Sequence, residues 1–236
     1  MENNIFERFE IKYLLDSRQR NIVERAFKGR MLPDMHGEST ICNIYYDTPD
    51  CRLVRESLEK PVYKEKLRLR SYGPVLPEQQ VFLELKKKYK GVVYKRRIEL
   101  PDDVAERCMK DLSPFPYDSQ VGREIDYFRR FYQGLRPNVY LCYDRSPWYA
   151  ADDGSFRATF DRNIRFRQED MSLAALPGGE PLLLPHESLF EIKTSGAIPL
   201  WLVEALDRAG AQKCSFSKYG EAYKTFSKER LGVFCA

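Results

Sequence analysis

The chain has 236 residues, 43% of them hydrophobic and 31% charged, with a formal net charge of only +4. That length suits one large β-rich domain, and so small a net charge gives no ground for nucleic-acid binding. Six scattered cysteines without a CxxC pair, and only two histidines, argue against a disulfide framework or a Cys/His metal site and for free thiols in a reducing compartment.

The N-terminal segment lacks the basic-then-apolar layout of a signal peptide, and no apolar run approaches the ~18–20 residues of a membrane helix. The expectation is a soluble, cytoplasmic protein without membrane insertion.

In chain order, Phe6, Arg8, Glu10 and Lys12 alternate with Phe9, Ile11 and Tyr13, which predicts a first strand. Asp16-Ser17 caps a helix ending near Gly29. Thr40 to Tyr46 reads as a strand and Asp50 to Leu58 as a short helix. Three strands follow, Val62 to Tyr72, Val81 to Tyr89 and Val92 to Leu100, with turns at Tyr72-Gly73-Pro74 and Lys90-Gly91. Helices are predicted from Pro101 to Leu112 and from Val121 to Tyr132. Strands at Val139 to Tyr149, Ser155 to Arg167 and Ser188 to Thr194 come next, with Leu176 to Pro185 as a loop. Two helices, Pro199 to Ala209 and Lys218 to Glu229, finish the chain. With no repeat or linker, residues 1–236 read as a single domain. About eight strands with interspersed helices predict an α+β fold, an antiparallel β-barrel or tunnel wrapped by helices.

Charge is distributed unevenly: Lys60 to Arg97 holds twelve basic residues and three acidic ones. Side chains two apart share a strand face, so Lys64, Lys66, Arg68 and Arg70 lie together, opposite Leu67 and Leu69. Glu84, Lys86 and Lys88 oppose Leu83 and Leu85; Lys95, Arg97 and Glu99 share a side. Tyr143 pairs with Arg145. Arg157, Thr159 and Asp161 oppose Phe156, Ala158 and Phe160, and Glu191 and Lys193 oppose Phe190 and Ile192. Solvated faces of half-exposed strands are one explanation, and lysines on edges guard against aggregation. A converging cationic interior is the other. Like charges at this spacing repel by ~0.6 kcal/mol in water but ~2.5 kcal/mol at an effective dielectric near 20. An enclosed row therefore needs interleaved carboxylates or a bound polyanion. The apolar opposite faces and the choice of arginine, which suits forked phosphate contacts, favour enclosure.

The ordered series Glu10-x-Lys12-Tyr13, Tyr45-Tyr46-Asp47-Thr48, Leu67-Arg68-Leu69-Arg70, Glu84-Leu85-Lys86, Tyr94-Lys95-Arg96-Arg97, Tyr143-Asp144-Arg145, Arg157-Ala158-Thr159-Phe160-Asp161, Glu191-Ile192-Lys193 and Phe216-Ser217-Lys218-Tyr219 resembles the VTC domain (vacuolar transporter chaperone, polyphosphate polymerase domain) of the CYTH-like triphosphate tunnel superfamily. The resemblance implies a tunnel of antiparallel strands. In it, the γ-phosphoryl group of ATP passes to a growing polyphosphate with the help of Mn²⁺ or Mg²⁺. It assigns catalytic phosphate contacts to Arg68, Arg70, Lys86, Arg145, Arg157 and Lys218. Substrate binding falls to Lys12, Lys95, Tyr143 and Ser217, and metal binding to Glu191; the strand faces add Arg8 and Lys193 to the substrate set and Glu10 to the metal set. One departure is Ser215, where the family has a basic residue; Lys213 is the nearest substitute.

Simpler roles stand beside these. Glu191 can pair with Lys193 or a facing arginine, and Lys12 with Glu10. Lys87, Lys88 and Lys90 read as surface charge, Asp47 as structural, and Cys142 and Cys214 as buried small residues. A tunnel triphosphatase, with water as acceptor, and a non-enzymatic polyphosphate-binding module are the competing functions. Nucleic acid is not an expected partner, because the aromatics alternate onto the wrong faces for base stacking.

Overall fold

The computed structural model describes residues 9–35, 37–76, 78–90, 92–116, 118–153 and 155–230. In chain order its strands are β1 (Phe9–Leu15), β2 (Met31–Pro33), β3 (Ser39–Asp47), β4 (Tyr63–Tyr72), β5 (Gln80–Tyr89), β6 (Val92–Pro101), β7 (Arg136–Ala150), β8 (Arg157–Arg167), β9 (Glu180–Pro181), β10 (Ser188–Thr194) and β11 (Lys213–Cys214). The helices are α1 (Ser17–Ala26), α2 (Arg52–Leu58), α3 (Asp102–Asp111), α4 (Gln120–Phe131), α5 (Leu200–Ala209) and α6 (Lys218–Arg230). The eight predicted strands and six predicted helices all form, with ends shifted by a few residues. Three short strands, β2, β9 and β11, were not predicted. The segment expected as a loop from Leu176 to Pro185 contains β9.

The chain divides into two compact units. The first comprises residues 1–40, 143–164 and 181–216. Its strands run in the order β11-β1-β10-β8-β7, antiparallel in each register given below. β1 pairs with β10 so that Lys12 faces Glu191 and Glu10 faces Lys193. β10 pairs with β8 so that Glu191 faces Thr159 and Lys193 faces Arg157. The apolar face of these strands meets α1 and α5 in a core of Val23, Phe27, Phe160, Phe190, Leu202 and Leu206. Stacking of Phe160 on Phe190, 4.7 Å between ring centroids, is central to it. α1 begins with a capping box, in which Asp16 accepts from the Gln19 amide and the Gln19 side chain accepts from the Asp16 amide, removing two orphan donors.

The second unit comprises residues 41–142, 165–180 and 217–236, with strand order β7-β3-β4-β5-β6. Its three-stranded meander holds Leu67 opposite Leu85, Leu69 opposite Leu83, and Leu83 opposite Ile98. These side chains pack on Ala105 and Met109 of α3 and on Ile125 and Phe128 of α4. The period-two alternation therefore sends leucines to the core and leaves lysine and arginine on the other face.

Candidate functional site

In the second unit the cationic face is organised around one carboxylate. Glu84 on β5 stands in register between Arg68 on β4 and Arg97 on β6, and it is 1% exposed. Arg68 donates from Nε (2.8 Å) and Nη2 (2.7 Å) to Glu84 Oε2. Lys95 Nζ lies 2.6 Å from Oε1, Arg70 Nε 3.7 Å from Oε2 and Arg97 Nη1 3.9 Å from Oε1. Burial opposes ionisation of Glu84, but Arg68, Arg70 and Lys95 outweigh it and hold the carboxyl down to about 2. The ammonium of Lys95 is itself held below its ordinary range by burial, against the pull of Glu84.

Neighbouring polar groups fix the two arginines. Arg70, buried, donates to Asn43 Oδ1 at 3.0 Å, and Asn43 donates in turn to the Leu141 carbonyl. Arg68 Nη1 donates to the Tyr45 hydroxyl at 3.0 Å. Lys66 on the same face reaches Ser217 Oγ at 2.9 Å. Ser217 Oγ also accepts from the Gly220 amide, so it caps α6. Lys86, partly buried, faces Lys66 on one side and Lys95 on the other. Lys218 opens α6 and is also partly buried.

The first unit carries a separate charge lattice. Arg145 on β7 makes a forked pair with Asp161 on β8, Nε to Oδ1 and Nη2 to Oδ2, both 2.7 Å. Arg145 Nη2 also lies 3.6 Å from Glu191 Oε2. Burial opposes the charge on Arg145, but Asp161 prevails and the guanidinium stays firmly protonated. Lys12 Nζ bridges Glu10 at 2.9 Å and Glu191 at 3.2 Å, and donates to the Phe216 carbonyl. Burial and Arg145 bring the Lys193 ammonium down to about 8, against Glu191, Glu10 and Asp161. Tyr143 is buried with its ring 5.1 Å from the Arg145 guanidinium. Arg157 is exposed and makes no ion pair among the described residues.

The expected site residues thus fall into two groups. Arg68, Arg70, Lys86, Lys95, Ser217 and Lys218 belong to the second unit; Glu10, Lys12, Tyr143, Arg145, Arg157, Glu191 and Lys193 belong to the first. Arg8 lies outside the described residues. Arg68, Arg70 and Arg145 are not solvated strand residues: each is largely buried and paired. Glu191 pairs with Arg145 and Lys12, and Lys12 pairs with Glu10 as well. Glu84, Asp161, Tyr45, Asn43 and Lys66 were not among the expected site residues. The sequence signal for the two acids was a lone carboxylate at an in-face position within a basic strand. Lys87 contacts Glu124. Asp47 has the structural role expected of it, collecting backbone amides. Cys142 is buried as expected, whereas Cys214 is only partly so, because two-residue β11 pairs with β1 alone.

Glu10 and Glu191 both reach the Lys12 ammonium, so their carboxylates converge on a single cation position. Among the described residues no three His, Cys, Asp or Glu side chains form a metal cage. The shared cation position is taken by the Lys12 ammonium, so a divalent ion held by the two carboxylates, with phosphate and water as its other ligands, would replace it there.

The sequence model of the VTC domain family matches residues 7–227. The chain belongs to the VTC domain family. Solved structures similar to this VTC domain include a candidate adenylate cyclase from Bacillus halodurans, 14% identical, with TM-score 0.52 over 89% of this chain and 95% of that one. Another is a candidate adenylyl cyclase from Hippeastrum with a dominant triphosphatase activity. It is 15% identical, with TM-score 0.52 over 96% of this chain and 98% of that one. These likenesses establish the expected α+β fold, that of the triphosphate tunnel proteins, although the described strands form a sheet that is not closed into the β-barrel also expected. Comparison with curated proteins returns no match. No described helix of the VTC domain is long and apolar enough to cross a membrane.

Proposed function

We propose that this VTC domain is a polyphosphate polymerase that transfers the γ-phosphoryl group of ATP to the end of a polyphosphate chain. The observation that carries the proposal is the pinning of Arg68, Arg70 and Lys95 on buried Glu84. Fixed cations that need no reorganisation are what phosphoryl transfer asks of a protein. The five described free cysteines support a reducing, cytoplasmic setting.

In the reaction a terminal oxyanion of the acceptor attacks the γ-phosphorus. The bond from that phosphorus to the β,γ-bridging oxygen breaks, and ADP leaves with the electron pair. The acceptor is already ionised at neutral pH, so no general base is required. Arg68 and Arg70 grip phosphate oxygens, held at fixed angles by Glu84 and Asn43. Arg145, oriented by Asp161, does the same in the first unit, with Tyr143 beside it and Arg157 exposed to meet a phosphate. Lys86, Lys95, Lys218 and Ser217 add phosphate contacts in the second unit, and Lys12 and Lys193 add them in the first. Glu191 and Glu10 would hold Mn²⁺ or Mg²⁺, which supplies neutralisation of phosphate charge when bound.

The test is incubation of the purified protein with ATP and Mn²⁺, beside an Arg68→Ala/Arg70→Ala double variant. The expected product is long-chain polyphosphate, with a loss of about 100-fold or more in the variant. Free phosphate as the sole product makes the protein a tunnel hydrolase. Polyphosphate binding without turnover, undiminished in Glu191→Ala, makes it a binding module.

A further inference from the structure

The first unit's charges neutralise one another through the pairs Arg145–Asp161, Arg145–Glu191, Lys12–Glu10 and Lys12–Glu191. A buried, uncharged group on the same face takes no part in this. Thr159 lies on β8 directly opposite Glu191 of β10, two residues before Asp161 and two after Arg157, so its side chain shares their face. It is 6% exposed. Among the described residues its Oγ1, shut off from solvent, has no hydrogen-bond partner.

A buried hydroxyl is nearly always satisfied, because removing it from water without a partner is unfavourable. Valine has the same shape, suits a strand at least as well, and carries no such penalty. Nor can a strand hydroxyl turn back to its own earlier carbonyls as it does in a helix. The group that satisfies Thr159 is therefore not among the described residues. The neighbouring guanidinium of Arg145 favours an anion there, and the adjacent Glu191 carboxylate requires that a cation share that anion. A phosphate oxygen meets both conditions when Arg145 or Lys12 shares it.

We propose that Thr159 is a phosphate-binding residue whose hydroxyl donates to an oxygen of the bound polyanion. This rests on the functional reading above and adds a further uncharged donor to a set made mainly of charged ones.

The test uses Thr159→Val and Thr159→Ser with inorganic tripolyphosphate in metal-free buffer, by calorimetric titration, and thermal unfolding without ligand. Thr159→Val is expected to bind about tenfold more weakly, while its ligand-free melting temperature stays level or rises by roughly 2–4 °C. Thr159→Ser is expected to bind within about twofold of wild type, since it keeps the donor. Equal affinity of Thr159→Val and wild type overturns the proposal. So does a lower ligand-free melting temperature, which would reveal an internal partner. A loss seen only when Mn²⁺ is added gives the hydroxyl to the metal and overturns the phosphate assignment. Failure of the wild type itself to bind tripolyphosphate overturns the functional reading along with it.

Discussion

Four cations approach the carboxylate of Glu84, two at hydrogen-bonding distance and two just beyond. Remove its charge and Arg68 and Arg70, both largely buried, repel one another at reduced dielectric, with the more exposed Lys95 beside them. Breaking a buried ion pair on one side typically costs about 3–5 kcal/mol. Glu84→Gln is therefore expected to lower the melting temperature markedly in ligand-free protein. If Arg68 and Arg70 bind phosphate, the polyanion replaces the lost carboxylate. The rise in melting temperature on adding tripolyphosphate should then be larger in Glu84→Gln than in wild type. An equal or smaller rise would mean that these arginines serve the fold and not a ligand. The alternation of Glu84-Leu85-Lys86 put this residue on the cationic face from sequence alone. What alternation could not supply was the register across β4, β5 and β6 that makes one acid the partner of cations from two flanking strands.

At the scale of elements, the start of α6 is tied to α2 and β3. Asp47, at the end of β3, accepts from the amides of Thr48 and Leu53 through Oδ1 and from Val54 through Oδ2. It thereby serves the first turn of α2, whose own N-cap, Cys51, gives the helix no side-chain capping bond. The Tyr219 hydroxyl donates to Asp47 Oδ2 at 2.6 Å and accepts from Asn138 at 2.7 Å, and the Tyr219 ring stacks on Tyr45 at 4.6 Å. A Cβ on Gly220 would come within 2.9 Å of Leu58 Cδ2, so glycine permits the close approach of the two helices. Tyr219→Phe strips one donor from a fully buried carboxylate, a loss of roughly 1–3 kcal/mol. The expected result is faster hydrogen exchange at the Leu53 and Val54 amides and in the first turn of α6, with weaker polyphosphate binding because Ser217 and Lys218 sit in that turn. Unchanged exchange at these amides would show that the helices are held by packing alone. The six helices and eight long strands were legible because each carries enough residues to display a period or a cap. Strands β2, β9 and β11 are two or three residues long, and a pair of residues has no period to read. Asp47-Thr48-Pro49 was visible as the end of a strand, but its link to a tyrosine 172 positions later is a product of the fold.

For the molecule as a whole, the Tyr45 phenolate and the proposed phosphate ligand would draw on the same positive charge. Tyr45 is 7% exposed and accepts from Arg68. Burial disfavours its ionisation, but Arg68, Lys66 and Arg70 outweigh that and bring the phenol down to about 8. An unfolded tyrosine titrates near 10. Between about pH 8 and 10 the unfolded chain thus holds a proton that the folded one has released, so this residue makes stability rise with pH across that window. Its contribution is complete above the unfolded value and lost as pH falls through about 8. Phosphate binding should move the other way, because a phenolate beside Arg68 neutralises the charge that a phosphate oxygen would use. Lys64 and Lys95, both held below the ordinary lysine range by burial first of all, also titrate on this alkaline side. The contribution of Tyr45 is therefore the difference between wild type and Tyr45→Phe, while Glu84 stays ionised throughout. From pH 7 to 9.5, wild type should lose more affinity for tripolyphosphate than Tyr45→Phe does, and gain more ligand-free stability over the same range. Tyrosinate absorbance with a midpoint near 8, absent from the variant, would identify the group. Parallel profiles of the two proteins in both measurements would remove Tyr45 from the linkage, leaving the alkaline limit of binding to the lysines.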